Sequence, residues 1–406
     1  MNITIPVLLT ALLAFSMNAP NQCLAGALEE KMILEFGTLY PEGQQNTAPT
    51  LEKIKELLDQ KVDVNTTNAR GDTLLITAAV NGDLEMAKLL IARGANVNLK
   101  SKQDEVTPLM AAAFNGDLDM LDLLLKNKAD VKAVNKDGET ALLVAVGQGN
   151  VETAKMLCDK GADINYKDPK YGMTALMIAA DAGDLEMAEV LLSAKAKINE
   201  TSKDGNTALM FASANDDTDM VNLLVDKGAE VNTRSGAQGL TALMAVADSG
   251  NVEAAETLVA KGADINAKSP DQTTALLLAT NAGNPDTVKL LLEKGAKVNE
   301  ANNAGFTPLI VAARDGAADV VKLLLENGAN VNAKTQTGAT ALMNASFRLG
   351  NSEVVKMLLD KQADVQVKSS NGSTAWSLAG VTGDKKIMEL LKNAGADNPQ
   401  KQPANR

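Results

Sequence analysis

Thr307-Pro-Leu-Ile-Val-Ala-Ala-Arg-Asp-Gly-Ala-Ala-Asp-Val-Val-Lys-Leu-Leu-Leu-Glu-Asn-Gly-Ala-Asn-Val-Asn332 contains every local signal that this chain repeats. An Ala-rich run, a turn holding glycine, an apolar run ending in leucines and an extended arm follow one another. The opening Thr-(Pro/Ala/Leu)-(Leu/Trp) recurs at Thr73, Thr107, Thr140, Thr174, Thr207, Thr241, Thr274, Thr307, Thr340 and Thr374, always 33 or 34 residues apart. A fixed period of that length marks a solenoid, in which no unit can bury its apolar stripe alone and its neighbours cover it.

The unit from Thr140 to Asn165 shows why the chain folds locally as it does. Thr140 is placed to N-cap a first helix, and the next position, Ala141 here and Pro108 or Pro308 elsewhere, suits the first helical turn. Leu142, Ala145 and Val146 share one face. Gly149 stops that helix, and Asn150, like Asp83, Asp117 and Asp184 in other copies, is placed to cap a second. Lys160 lies at its far end, and Gly161 (Gly228, Gly262 and Gly295 elsewhere) turns the chain out into the arm and a hairpin.

This register of two helices and a hairpin, repeated in step, resembles the ankyrin repeat family. The resemblance implies an all-α repeat solenoid, each unit a β-hairpin or turn plus two antiparallel helices, with about ten full repeats between capping units. The expected division is 1–25 signal peptide, 26–64 degenerate N-terminal capping repeat, 65–397 repeat solenoid and 398–406 disordered tail. Leu28–Gly37 and Thr50–Gln60 read as the two helices of the N-terminal cap, and Lys385, Lys386, Glu389 and Lys392 give the last helix the polar face of a C-terminal one. The family commonly carries His directly after Thr-Pro-Leu. Here that position holds Ile76, Met110, Leu143, Met177, Met210, Met244, Leu277, Ile310, Met343 and Ser377, so polar bonding is exchanged for packing in all but the last copy.

Ile3–Met17 is mostly apolar and precedes small-residue cleavage sites after Ala25 or Ala27, the pattern of an exported protein, although no Lys or Arg precedes it. It is short for a membrane span, and stable membrane insertion is not expected after its removal. Cleavage would leave Cys158 as the only thiol, at a position that other repeats fill with Ile91, Leu125, Leu192 or Leu325, which favours a buried small hydrophobe. The expected location is the bacterial periplasm, with secretion to the exterior as the alternative.

A net charge of −12 repels phosphate backbones, and aromatics at 2% leave few platforms for base stacking, so nucleic acid is excluded as a partner. The chain has no His, which removes Ser-His-Asp and Cys-His catalysis and His-based metal sites. The recurring Met reads as core rather than a soft-metal ladder, and Asp216, Asp217 and Asp219 read as helix capping rather than a calcium or acid–base cluster. Gly147-Gln148-Gly149 is a turn, not a dinucleotide loop. No catalytic residue, cofactor or metal is expected.

The resemblance places partner contacts on a concave face made of hairpin tips and the exposed side of each first helix. Tip sequences differ most between copies, as in Tyr166–Met173, Thr233–Leu240 and Glu300–Phe306. Large or planar groups there that the fold does not demand are the candidate partner-binding residues: Phe114, Tyr171, Arg234, Phe306, Arg314, Phe347 and Arg348. A ladder of Lys100, Lys167, Arg234, Lys268, Lys334 and Lys368 offers a second candidate, a basic strip for an acidic partner. The hairpins Leu99–Val106, Tyr166–Met173 and Thr233–Leu240 are one residue longer than those alternating with them, and the Thr340 copy gains a residue near Phe347–Gly350 instead. The expected protein is a monomeric, non-enzymatic scaffold that binds one or more proteins. The alternatives are a secreted effector directed at host or foreign proteins and an enzyme using groove carboxylates.

Overall fold

The structure, a computed structural model, describes residues 71–396 together with 51, 54, 55, 58, 59, 63–65 and 67. The expected signal segment, the helix Leu28–Gly37, most of the N-terminal cap and the tail 398–406 lie outside these residues. Of the second expected cap helix, positions 51, 54, 55, 58 and 59 are helical.

The chain divides into two compact units, one reaching Asn215 and including Asp226–Ala229, the other comprising Asp216–Val225 and Glu230 onward. The first contains α1 (Leu74–Asn81), α2 (Leu84–Ala92), α3 (Pro108–Asn115), α4 (Leu118–Lys126), α5 (Ala141–Gly147), α6 (Val151–Asp159), α7 (Ala175–Ala182), α8 (Leu185–Ser193) and α9 (Ala208–Ala214). The second contains most of α10 (Thr218–Asp226), then α11 (Ala242–Ser249), α12 (Val252–Ala260), α13 (Ala275–Ala282), α14 (Pro285–Glu293), α15 (Pro308–Asp315), α16 (Ala318–Glu326), α17 (Ala341–Ser346), α18 (Ser352–Asp360), α19 (Ala375–Thr382) and α20 (Lys385–Asn393). Odd-numbered helices are the first of each repeat. Within a unit, each first helix packs on the first helix of the next repeat and on the second helix of its own.

All ten threonines act as read from the sequence: each is extended at the N-cap, and its Oγ1 accepts the N–H three residues on. The residues whose N–H groups are so bound are the nine apolar ones that replace the family's His, all buried, and Ser377. Ser377 answers with its hydroxyl, accepting the Thr374 N–H at 2.9 Å to close a capping box.

First helices are buried almost all round, which suits their Ala content. Second helices bury one narrow stripe, such as Met120, Leu121 and Leu124, or Val320, Val321 and Leu324. One leucine per second helix is wholly enclosed, among them Leu90, Leu157, Leu258 and Leu358, each stabilising by about 1.5–3 kcal/mol, while its leucine neighbour, where present, is in most copies only half-covered.

The second-helix caps differ between aspartate and some of the asparagines, although Asn251 caps as the aspartates do, accepting Ala254 N–H at 2.9 Å. Asp83, Asp117, Asp184, Asp217 and Asp384 accept helix N–H groups as expected. Asn150, expected to do the same, makes no such bond; its amide donates instead to Ala113 O and Phe114 O at the end of the preceding first helix, at 3.0 and 2.9 Å. Asn351 does likewise toward Ala313 O at 3.0 Å. The reason is that a helix C-terminus leaves carbonyls without partners, and an amide can donate to them where a carboxylate cannot.

The expected hairpins are turns. Among the described residues there is no strand, only the isolated bridges Thr67–Thr73 and Val134–Thr140. The arms are joined by asparagine. Asn299 donates its amide to Gly328 O at 3.2 Å and accepts Asn330 N–H at 2.7 Å, so one side chain satisfies both senses of the next repeat's turn. Asn98, Asn232 and Asn332 repeat this pairing, and Asn266 repeats it at 3.2 and 2.9 Å.

Replacing Asn299 with Ala leaves a carbonyl and an N–H of the next turn without their shared partner. Both bonds are exposed, so urea unfolding should show a loss of about 0.5–1.5 kcal/mol, and Asn299→Asp, which keeps only the acceptor, should fall between the two.

Candidate functional site

Main-chain bonds close each tip and tie several neighbouring tips together, and side chains such as Tyr166, Lys203 and Arg234 add bonds between tips. Long tips close across five residues: Ser101 N–H to Val106 O (2.9 Å), Asp168 to Met173 O (3.0 Å) and Ser235 to Leu240 O (2.8 Å). Short tips close across four, as in Ser202 to Asn206 O (2.9 Å) and Asn302 to Phe306 O (3.1 Å). The extra residue buries an apolar side chain before the next threonine, Val106, Met173 or Leu240, where short tips hold half-buried residues such as Glu139 or Ala339. Adjacent tips are joined by backbone bonds, Lys203 N–H to Tyr171 O at 2.9 Å and Asn303 N–H to Asp271 O at 2.8 Å among them. At Gly138 (φ +81°) the contact leaves no room for a side chain, since a Cβ there would lie 2.2 Å from Pro169 Cγ.

Tyr171 and Phe114 belong to the first unit. Tyr171 sits half-buried on a long tip, its N–H bonded to Asp168 Oδ1 at 2.7 Å, and its ring lies 4.8 Å beneath the Lys170 ammonium. Phe114, near the end of α3, is half-buried, and its carbonyl is the acceptor for Asn150.

The other five candidates lie in the second unit. Phe306 closes a short tip through its backbone and leaves its ring half-exposed. Arg234 is committed, donating from Nη1 to Lys268 O on the neighbouring tip and to Gly239 O at 3.4 Å. Arg314 is held too: Nε and Nη2 bind Asp315 at 2.8 and 2.7 Å, and Nη2 also reaches Asn281 Oδ1 at 3.1 Å. Phe347 is 56% exposed and Arg348 is exposed beside it, on the turn after α17. Arg314 and Phe347 share one register position, seven residues after Thr307 and Thr340, and Arg348 lies against Gly316 of the repeat before. The structure therefore brings Arg314, Phe347 and Arg348 to adjacent repeats and leaves the other four on separate tips and ends.

The basic ladder is not a free cationic strip. Lys100 pairs with Glu105 at 3.0 Å, Lys167 with Glu200 at 2.7 Å, and Lys268 with Glu300. Hydrogen bonds from Lys167 and Lys268 hold the Glu200 and Glu300 carboxyls below the ordinary carboxylate range. Three of the six rungs are thus paired, two of them across repeats, which residue counting within one copy does not reveal; no ion pair is seen for Arg234, Lys334 or Lys368 among the described residues.

No group of three or more His, Cys, Asp or Glu able to hold a metal occurs among the described residues. Asp217 accepts Met220 N–H as a cap, and Asp216 adopts a positive φ and accepts Ser249 Oγ at 3.2 Å, so the acidic cluster is used by the turn. Burial pushes the Cys158 thiol up to about 11, and nearby Asp159 adds to the shift. Burial likewise raises Asp181 and Asp248, which occupy the same register position as Arg314. Leu349 and Val381, 71% and 73% exposed, were missed as candidates; Val381 shares the register position of the candidates Phe114, Arg314 and Phe347, and Leu349 lies in the turn lengthened by one residue.

A family model described as ankyrin repeats (3 copies) matches residues 46–135, 109–202, 176–269, 266–335 and 331–402. No curated protein matches the chain.

Two measurements follow from the titratable groups. A carboxyl whose folded pKa is raised binds protons more readily than in the unfolded chain, so its ionisation lowers stability as pH rises through that range. Asp248→Asn should therefore raise the melting temperature at pH 7 and leave it nearly unchanged at pH 3. Cys158, with so little thiolate at pH 8, should react with iodoacetamide at least about tenfold more slowly in the folded chain than in urea, read by peptide mass mapping.

Proposed function

Since the chain belongs to the ankyrin repeat family, whose members are generally protein–protein interaction scaffolds, we propose that it is an exported scaffold that binds partner proteins through its tips and the exposed ends of its first helices. The observation that carries this reading is the separation of roles at the tips. Much of the contact between neighbouring tips is made by the main chain, so tip side chains that take no part in it can differ between copies without loosening the fold. A surface fixed in this way binds with little ordering of its own, and affinity then depends on a few large anchors.

Export is supported by the apolar segment Ile3–Met17 and the small residues before Ala27. The half-buried Cys158 thiol, with its raised pKa, is compatible with an oxidising compartment, since it forms little thiolate there. The periplasm is the proposed location. A non-catalytic role fits a chain without histidine whose raised carboxyls, Glu139, Asp181 and Asp248, lie in different repeats.

The test is cross-linked affinity capture from the native host, comparing the wild-type chain with a variant carrying Tyr171→Ala, Phe306→Ala, Arg314→Ala and Phe347→Ala. A protein held by the wild type and released by the variant supports the reading; equal capture by both moves the contacts to other surfaces. Enrichment of the chain in culture medium without lysis would overturn the periplasmic assignment.

A further inference from the structure

Four large hydrophobic side chains are exposed among the described residues, and three of them, Phe347, Leu349 and Val381, fall within two adjacent repeats of the second unit. Scattered exposed apolar residues are ordinary, but a cluster points to a contact surface. Phe347 and Val381 occupy the same register position in consecutive copies, on α17's following turn and on α19, and these two first helices pack together. Leu349 lies on the turn lengthened by one residue. That turn is fixed in place: Gly350 N–H donates to Asp384 Oδ2 at 2.9 Å, while Asp384 Oδ1 accepts Lys386 and Ile387 N–H at the start of α20. These backbone bonds, Gly350 first, keep the Asp384 carboxyl below its usual range and hence ionised.

The charges around this cluster are equally uneven. Nine second helices carry Asp or Glu in the first turn, from Glu85 in α2 to Glu353 in α18, as the helix dipole favours. α20 alone has none there and presents exposed Lys385 and Lys386 instead. Exposed Arg348 lies on the lengthened turn between Phe347 and Leu349. Among the described residues none of these three cations forms an ion pair within 4.0 Å, unlike the tip lysines Lys100, Lys167 and Lys268, although the Lys386 charge helps to keep nearby Asp384 ionised.

We propose that Phe347, Leu349 and Val381, with Arg348, Lys385 and Lys386, form a docking surface for a segment of a partner protein in which carboxylates flank a large apolar side chain. The inference rests on the scaffold reading for its partner being a protein, and adds where that partner docks and what chemistry it presents. Charge complementarity selects the occupant: exposed Arg348, Lys385 and Lys386 beside apolar anchors outnumber the one carboxylate, Asp384, that Lys386 helps to keep ionised, and attract an acidic segment locally on a chain of net charge −12. The same net charge opposes an anionic bilayer, which makes a protein segment the better fit.

A random-peptide phage library panned on the full chain tests this. The expected result is enrichment of peptides with Asp or Glu around Phe, Leu or Trp. Synthetic versions, followed by fluorescence anisotropy, should bind at least about tenfold more weakly to Phe347→Ser/Leu349→Ser and to Lys385→Glu/Lys386→Glu, with circular dichroism unchanged in both. Binding should weaken as salt rises. Selected peptides without that pattern, or binding that survives both pairs, overturn the proposal. So does retention on phosphatidylserine vesicles through these residues without peptide binding, and so does a dimer in sedimentation that the substitutions dissociate. If the partner captured from the host is still held by both pairs, this surface is refuted while the scaffold reading stands.

Discussion

The arrangement depends on an asparagine side chain that serves two masters at once. Each repeat ends in a turn whose next copy presents an N–H and a carbonyl about one repeat away, and Asn98, Asn232, Asn266, Asn299 and Asn332 bind both. A primary amide carries a donor and an acceptor as separate atoms of one planar group, so it can bind an N–H and a carbonyl side by side. Hydrophobic stacking supplies most of the free energy within each unit, but it is non-directional and would tolerate a sliding neighbour. The asparagines set the spacing. A second set of amides, Asn150 and Asn351 among them, does the same at the helix ends.

Much of this was legible in the sequence because it is written in residue types with narrow uses. Threonine before Pro-Leu or Ala-Leu can do little else than cap, and the αL glycines Gly161, Gly228, Gly262 and Gly295 adopt positive φ as expected. The exchange of histidine for Met, Leu or Ile was legible as packing for the same reason. What was not legible depends on neighbours. Asn150 and Asp184 occupy equivalent positions, and either can cap, yet the lone carbonyl of the preceding repeat draws the amide away. Half of the basic ladder is paired, Lys167 and Lys268 with Glu200 and Glu300 of the next copy along, which a single copy does not show.

The candidate binding residues divide along a similar line. Arg234 and Arg314 looked free in the sequence and are tied to backbone or to Asp315, so their planar faces are held rather than mobile. Phe347 and Arg348 looked like an irregularity and are both exposed. Sequence spacing located the lengthened turn but gave no sign that Asp384 would anchor it.

The two ways of closing a tip have a consequence for the ancestry of the chain. Closure across five residues or across four is settled inside the tip, between a Ser, Asn, Asp or Thr and the residue just before the next capping threonine. A gained or lost residue is therefore absorbed before it reaches the helices, and the downstream repeats never register the change. Long and short tips alternate from Ser101 to Ser235, and from Ser269 to Ser369 all are short. Such a chain can record its own duplications as a pattern of loop lengths, a copying history kept at the surface because the interior is insulated from it.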